Sequence, residues 1–234
     1  VVLLYLLGLG NRSLWGYEEP YVAATIREMA SSRDFVVPTL NGRPFLEKPP
    51  LAYLLAVLAC RAAGSFAPWA LRLSSALLAL ATCAWVAFVA RRMGSARAAA
   101  WAGLTLATSL FFFEVGHSVL VDMALTASVT FALGLAQLAL VEPDRRQRWV
   151  PWFWTAVGLT FLAKGLVGPV MVLAPLALAL VLARDRHLLR AFLAGGWGPA
   201  VALLLAAAWL APLAARGGLP YLAEVFLRNS LGRF

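Results

Sequence analysis

Six apolar runs, near residues 68–90, 98–113, 123–141, 149–163, 165–183 and 193–214, leave this chain too little polar surface to face water. As a helix, a run of about 20 apolar residues crosses the roughly 30 Å hydrocarbon core of a bilayer. Only segments that satisfy their own backbone hydrogen bonds survive there, as helices or as closed barrels. Runs of this length point to helices, so the fold class is all-α, a polytopic bundle of transmembrane helices. Composition agrees: 62% of the chain is hydrophobic and 13% charged, against about 45–50% apolar in soluble domains.

The net charge of +9 does not mark a nucleic-acid binder. Nine arginines fall in three short clusters, Arg91, Arg92 and Arg97, then Arg145, Arg146 and Arg148, then Arg184, Arg186 and Arg190, each following an apolar run. That is the pattern of cytoplasmic loops. It also decides how to read the run from Pro50 to Gly64, which at about 22 Å is short for a span. If this run lies along the interface, all three clusters share the cytoplasmic side; if it crosses, they do not. An interfacial helix is therefore expected.

The outer face then collects residues 10–67, the turn from Glu114 to Asp122, the Lys164-Gly165 break and the tail from Arg216 to Phe234. Glu18 to Ala30 reads as a short helix with Ala23, Ile26 and Met29 toward the membrane, and residues 31–49 as a turn-rich connector around Pro38, Asn41-Gly42 and Pro44. Trp69, Trp101, Trp149 and Trp152 fit an aromatic belt. Cys60 and Cys83 read as packing residues, with no disulfide. Val1 to Leu9 is apolar but too short to span and lacks signal-peptide flanks. It is expected to be the tail of a first span, in a piece of a longer protein forming one transmembrane domain.

Five carboxylates, Glu18, Glu19, Glu28, Asp34 and Glu47, stand between Trp15 and Pro50, and both lysines of the chain, Lys48 and Lys164, fall on the same outer face. Acids in a first helical turn also simply favour the helix dipole, and Lys164 also has the reading of a side chain snorkelling to the interface. Yet Asp122 sits at the mouth of a span and Lys164 interrupts a long apolar stretch, and ionisable groups at such depth usually have a partner or a task. The lysines suit a phosphate, and Glu18, Glu19 or Asp122 suits a general base. His117 and His187 read as loop residues. Arg228 and Arg233 form a basic patch fit for an interface or an anionic head group.

The segments Glu18-Glu19-Pro20, Arg27-Glu28-Met29, Val37-Pro38-Thr39-Leu40-Asn41-Gly42, Glu47-Lys48-Pro49-Pro50-Leu51, Arg72-Leu73-Ser74-Ser75-Ala76, Val121-Asp122-Met123 and Ala163-Lys164-Gly165 together resemble the aminoarabinose transferase and protein O-mannosyltransferase superfamily. The resemblance runs along essentially the whole chain. It implies a seven-span glycosyltransferase module of the C type, with interfacial helices in the first outer loop. It implies use of a polyprenyl-phosphate sugar; transfer in a single displacement with inversion to a lipid or protein acceptor, on the extracytoplasmic side of a bacterial inner membrane, is the expected reaction. Glu18 falls at the catalytic aspartate and Asp122 at a second acidic position. Lys48 and Lys164 fall at lysines near the lipid phosphate, with Arg233 as a further cation, and Glu47 at a carboxylate that can join a divalent-metal site. Membrane lipids are expected partners and nucleic acid is not.

Three positions depart from the family pattern. Glu18 is one methylene longer than the usual aspartate, leaving the base to be chosen between Glu18 and Glu19. Tyr21 and Val22 replace Arg and Tyr, and Ser230 stands where a metal-binding His is expected, which weakens the case for a metal. A membrane transporter or lipid flippase is the rival class. It should show a repeated half with matching helix breaks, and the sequence shows none.

Overall fold

A computed structural model describes residues 1–16, 18–183, 191–192 and 197–228. Its elements are α1 (Val2–Leu6), α2 (Glu19–Ser32), a hairpin of β1 (Thr39–Leu40) and β2 (Arg43–Pro44), then α3 (Leu51–Ala63) and α4 (Pro68–Met93). They continue with α5 (Ala96–Thr108), α6 (Leu110–Gly116), α7 (Asp122–Val141), α8 (Arg146–Lys164), α9 (Val167–Ala183) and α10 (Gly198–Ala223), which runs into a π-helical turn at Glu224–Arg228.

Among the described residues, α4, α7 and α10 are each long and apolar enough to cross a membrane, and α5 with α6, bent by 69°, make a fourth candidate. The protein is a multi-pass membrane protein. α4, at about 39 Å, starts with Pro68 in its first turn and ends with Arg91 and Arg92 in its last. Proline needs no N–H donor at a helix start, and the arginines complement the negative end of the dipole. α3, by contrast, is about 20 Å long, too short to cross by itself.

The largest helix contact is α7 against α8, with α8 packed in turn on α10 and α9, and α4 on α5 and α7. α8 approaches α10 closely because Gly158 lies there: a Cβ would meet Leu205 Cδ1 at 2.7 Å and the Ala202 Cα at 3.1 Å. Near the arginine-rich ends, Phe153, Trp154, Leu138, Val172 and Phe192 form one core. Trp154 Nε1 donates to the Phe192 carbonyl at 2.8 Å.

Two expectations need correction. The apolar face of α2, with Ala23, Ile26 and Met29, does not look outward; it is buried against Tyr53, Ala56, Val57 and Cys60 of α3 and Ala70 and Leu71 of α4. Periodicity told that the face is covered, and α3 rather than lipid covers it. Trp149 does not belong to an exposed belt. It is buried and donates to Glu142 Oε2 at 3.1 Å, whereas Trp69, Trp101 and Trp152 are exposed. Asn41 and Gly42 take the left-handed conformation (φ 54° and 71°) that closes the hairpin, with Thr39 opposite Pro44 and Leu40 opposite Arg43. Both cysteines are buried and free.

Candidate active site

The segment from Leu9 to Glu19 is fastened to the bundle by a charged cluster. Arg72 rises from α4 with only 1% of its surface exposed, and Glu19 opens α2 at 3%. Glu19 accepts from Arg72 Nε at 3.0 Å and Nη2 at 2.9 Å. The remaining N–H groups of Arg72 go to the carbonyls of Leu9 (2.7 Å), Arg12 (2.9 Å) and Ser13 (2.9 Å). All five guanidinium donors are thus used. Glu19 also accepts from the backbone N–H groups of Trp15 (3.0 Å) and Val119 (2.9 Å) and from Arg12 Nη1 (3.2 Å). Arg12 reaches on to Ser118 Oγ at 3.0 Å. Burial alone would raise the Glu19 carboxyl, but the Arg72 hydrogen bond, the two backbone donors and the Arg72 charge outweigh it and hold it below the usual carboxylate value. Glu19 is therefore a fixed anion, pinned to the segment that leads into α7.

Glu18, one residue earlier, is the N-cap of α2 and makes no side-chain cap bond; its side chain is exposed. Three residues beyond Val119, Asp122 is the first residue of α7 and pairs with Lys164, the last residue of α8. The two side chains remain about a third exposed (34% and 28%). Gly165 makes this possible: at φ 66°, ψ −146° it ends α8 in a conformation essentially reserved for glycine. Lys164 also sits where the helix dipole favours a cation.

Lys48 bonds the neighbouring Glu47 at 3.2 Å. Just beyond them, Leu51 and Ala52 pack on the cluster of Ala124, Leu125 and Ala163, next to Asp122 and Lys164. Packing thus brings the Glu47-Lys48 segment to the same end of the α7–α8 pair. The connector before it is tied to α10, since Trp209 Nε1 donates to the Val36 carbonyl at 2.9 Å and Arg216 pairs with Asp34. Below this polar end runs an apolar groove of about 400 Å³ between α3, α4, α7 and α8. Ala124, Ala127 and Phe131 line one wall, Leu159, Thr155 and Trp152 another, with Leu51 and Leu55 at its edge. It begins two residues below Asp122 on α7 and five below Lys164 on α8, so an ion pair stands at the head of a hydrocarbon-lined channel.

The chain matches the dolichyl-phosphate-mannose-protein mannosyltransferase family over residues 47–211. The chain belongs to this family. Among curated relatives of this mannosyltransferase-family chain, an undecaprenyl phosphate-alpha-4-amino-4-deoxy-L-arabinose arabinosyl transferase of Pectobacterium atrosepticum is 30% identical over 221 residues, covering 92% of this chain and 38% of that one. The corresponding transferase 1 of Sodalis glossinidius is 32% identical over 188 residues, covering 76% and 33%. The crystal structure of ArnT from Cupriavidus metallidurans bound to undecaprenyl phosphate superposes with a TM-score of 0.92 at 28% identity, over 98% of this chain and 42% of that one. Its apo state gives 0.91. The family member described here spans less than half the length of these relatives.

Arg233, the Asn229-Ser230 segment, Arg184, Arg186, His187 and Arg190 lie outside the described residues. Among the described residues no three His, Cys, Asp or Glu side chains group to hold a metal ion. Glu47 pairs with Lys48 and has no such group around it among the described residues. His117 hydrogen-bonds the Phe113 carbonyl at 2.9 Å and stacks on Tyr5. Sequence reasoning gave no role to Arg72, Arg12 or Tyr53. For Arg72 a signal existed, a lone cation just inside an apolar span, the kind of residue that demands a partner.

Proposed function

We propose that this chain is the membrane-embedded module of a glycosyltransferase that moves a sugar from a polyprenyl-phosphate carrier to an envelope acceptor, with lipid A the first choice and a protein hydroxyl the second. The observation that carries this reading is the Asp122–Lys164 pair at the head of the apolar groove. The carrier has the same two-part chemistry, an anionic phosphate on a long hydrocarbon tail, and each buried methylene of the tail contributes about 0.8 kcal/mol.

In this reading Lys164 and Lys48 face the phosphate, with Arg233 as a further cation. The bond between the sugar carbon and the phosphate oxygen breaks, the electron pair stays on the polyprenyl phosphate, and the lysines stabilise the charge that develops. The acceptor hydroxyl attacks the opposite face of the same carbon, with inversion, and gives its proton to Glu18. General-base help of this kind is typically worth about 10²–10⁴ in rate. Asp122 holds the Lys164 ammonium in place, and Glu19, saturated with donors, positions the segment and leaves the base role to Glu18. Residues 10–67 form the outer loop of a single transmembrane domain. Seven spans are reached by counting α1, the bent α5–α6 pair, α8 and α9 with the three long helices, and the active site faces away from the cytoplasm of a bacterial inner membrane.

The test uses the full-length protein in lipid vesicles with undecaprenyl phosphate-α-4-amino-4-deoxy-L-arabinose and lipid A. Release of undecaprenyl phosphate with glycosylated lipid A is expected, and loss of both in Glu18→Gln and Lys164→Met. Carrier moved across the vesicle but not consumed would replace the enzyme with a flippase. Near-normal transfer by a folded Glu18→Gln protein would remove Glu18 as the base.

A further inference from the structure

Tyr53 has no exposed surface at all, and its ring packs among Val22, Ala23 and Ile26 of α2 and Val119 and Val121 before α7. Its hydroxyl nevertheless has no hydrogen-bond partner among the described residues. Buried polar atoms are almost always paired, and leaving one unpaired is a net cost to the fold. A phenylalanine would avoid that cost, and the chain uses 13 phenylalanines against 5 tyrosines. The hydroxyl is thus kept against the interest of stability.

Its electrostatic surroundings indicate a use. Burial first, then the charge of Glu47, the Tyr21 phenol and the charge of Glu18, all hold the Tyr53 phenol above its ordinary value. It keeps its proton and can donate to an acid, and Val22, one helical turn after Glu18, packs in the same cluster as Tyr53. Glu47 is already bonded to Lys48. Glu18 makes no cap bond, while Glu19 beside it is immobilised by five donors. The Glu18 side chain can therefore turn about a fixed backbone. Among the described residues, the neighbouring charges of α4 and α7 are committed elsewhere: Arg72 to Glu19 and Asp122 to Lys164.

We infer that Tyr53 is a positioning residue for Glu18, its O–H being the donor that the Glu18 carboxylate takes up when it turns inward to meet the acceptor. This rests on Glu18 being the base. A donor to the carboxylate both fixes its direction and favours its ionised form.

The decisive variant is Tyr53→Phe in the full-length protein, assayed in vesicles with undecaprenyl phosphate-α-4-amino-4-deoxy-L-arabinose and lipid A across pH. Expected are a kcat lowered about tenfold, the loss typical of one hydrogen bond to a charged group, with KM for the donor unchanged. The acid limb of the rate profile should move to higher pH, the melting temperature should stay level or rise, and nothing further should be lost when the change is added to Glu18→Gln. A kcat and acid limb like those of the unmodified protein overturn the inference, and so does a fall in melting temperature that accounts for the lost activity. If Glu18→Gln is inactive while Tyr53→Phe is normal, only the inference falls; if Glu18→Gln stays active, the base reading falls and takes the inference with it. A readout that needs no turnover is the infrared carboxylate band of Glu18 with undecaprenyl phosphate bound. Its titration should move to higher pH in Tyr53→Phe, and an unmoved titration overturns the proposal.

Discussion

Replacing Glu19 by Ala removes the acceptor of five hydrogen bonds at 2.9–3.2 Å and leaves Arg72, 1% exposed, with its charge buried and no anion beside it. Three carbonyls still hold Arg72, but carbonyls do not neutralise it. Breaking a buried ion pair by removing one partner costs about 3–5 kcal/mol. For a chain of this size that corresponds to about 2–4 °C per kcal/mol, so the melting temperature should fall by about 6–20 °C, measured by thermal unfolding of the purified protein in detergent. The double variant Glu19→Ala with Arg72→Met removes both charges and should melt above the single Glu19→Ala variant, since a mutual dependence is the signature of a pair. The carboxyl, held low in the fold, contributes its stabilisation fully above the ordinary glutamate value of about 4.3. That contribution disappears as pH falls below this value toward the lowered folded one, and Glu19→Ala should lack this acid-side loss. A Glu19→Ala protein that melts within about 2 °C of its parent, below the smallest shift expected, yet has lost transfer activity would refute the positioning role and return Glu19 to contention as the base.

Gly165→Ala should lower both stability and transfer, because φ 66°, ψ −146° is strained for any residue with a Cβ by about 1–3 kcal/mol; the melting temperature and the donor KM report it, the latter rising as Lys164 is displaced. Thr155→Trp, placed in the groove wall, should raise KM for an undecaprenyl donor more than for a short-chain polyprenyl one; equal effects on both donors would mean that the tail lies elsewhere.

The bundle could be read from the apolar runs because their lengths answer directly to bilayer thickness. The acids and lysines stood out because charge is rare in such a chain. Harder to read was what each apolar face meets. Ala23, Ile26 and Met29 bury against α3, and Trp149 against Glu142, where lipid would have served the same periodicity. Local spacing also hid that Glu19 is buried and bonded while Glu18 is exposed, since this depends on Arg72 and Val119, which lie 53 and 100 residues away from Glu19. Tyr53 gave no sign, because a tyrosine on an apolar helix face looks like any packing residue until its hydroxyl is seen without a partner.

The sheltering of Arg72 has a consequence for biogenesis. An unaccompanied arginine at the centre of a membrane helix costs about 2.5–3.5 kcal/mol on insertion scales, of which Arg72, in the second turn of α4, bears a part, yet every group that accepts its hydrogen bonds, the carbonyls of Leu9, Arg12 and Ser13 and the carboxylate of Glu19, precedes it in the chain. The ribosome has therefore already made this collar when α4 enters the bilayer, so the penalty lasts only as long as two neighbouring pieces of nascent chain take to meet.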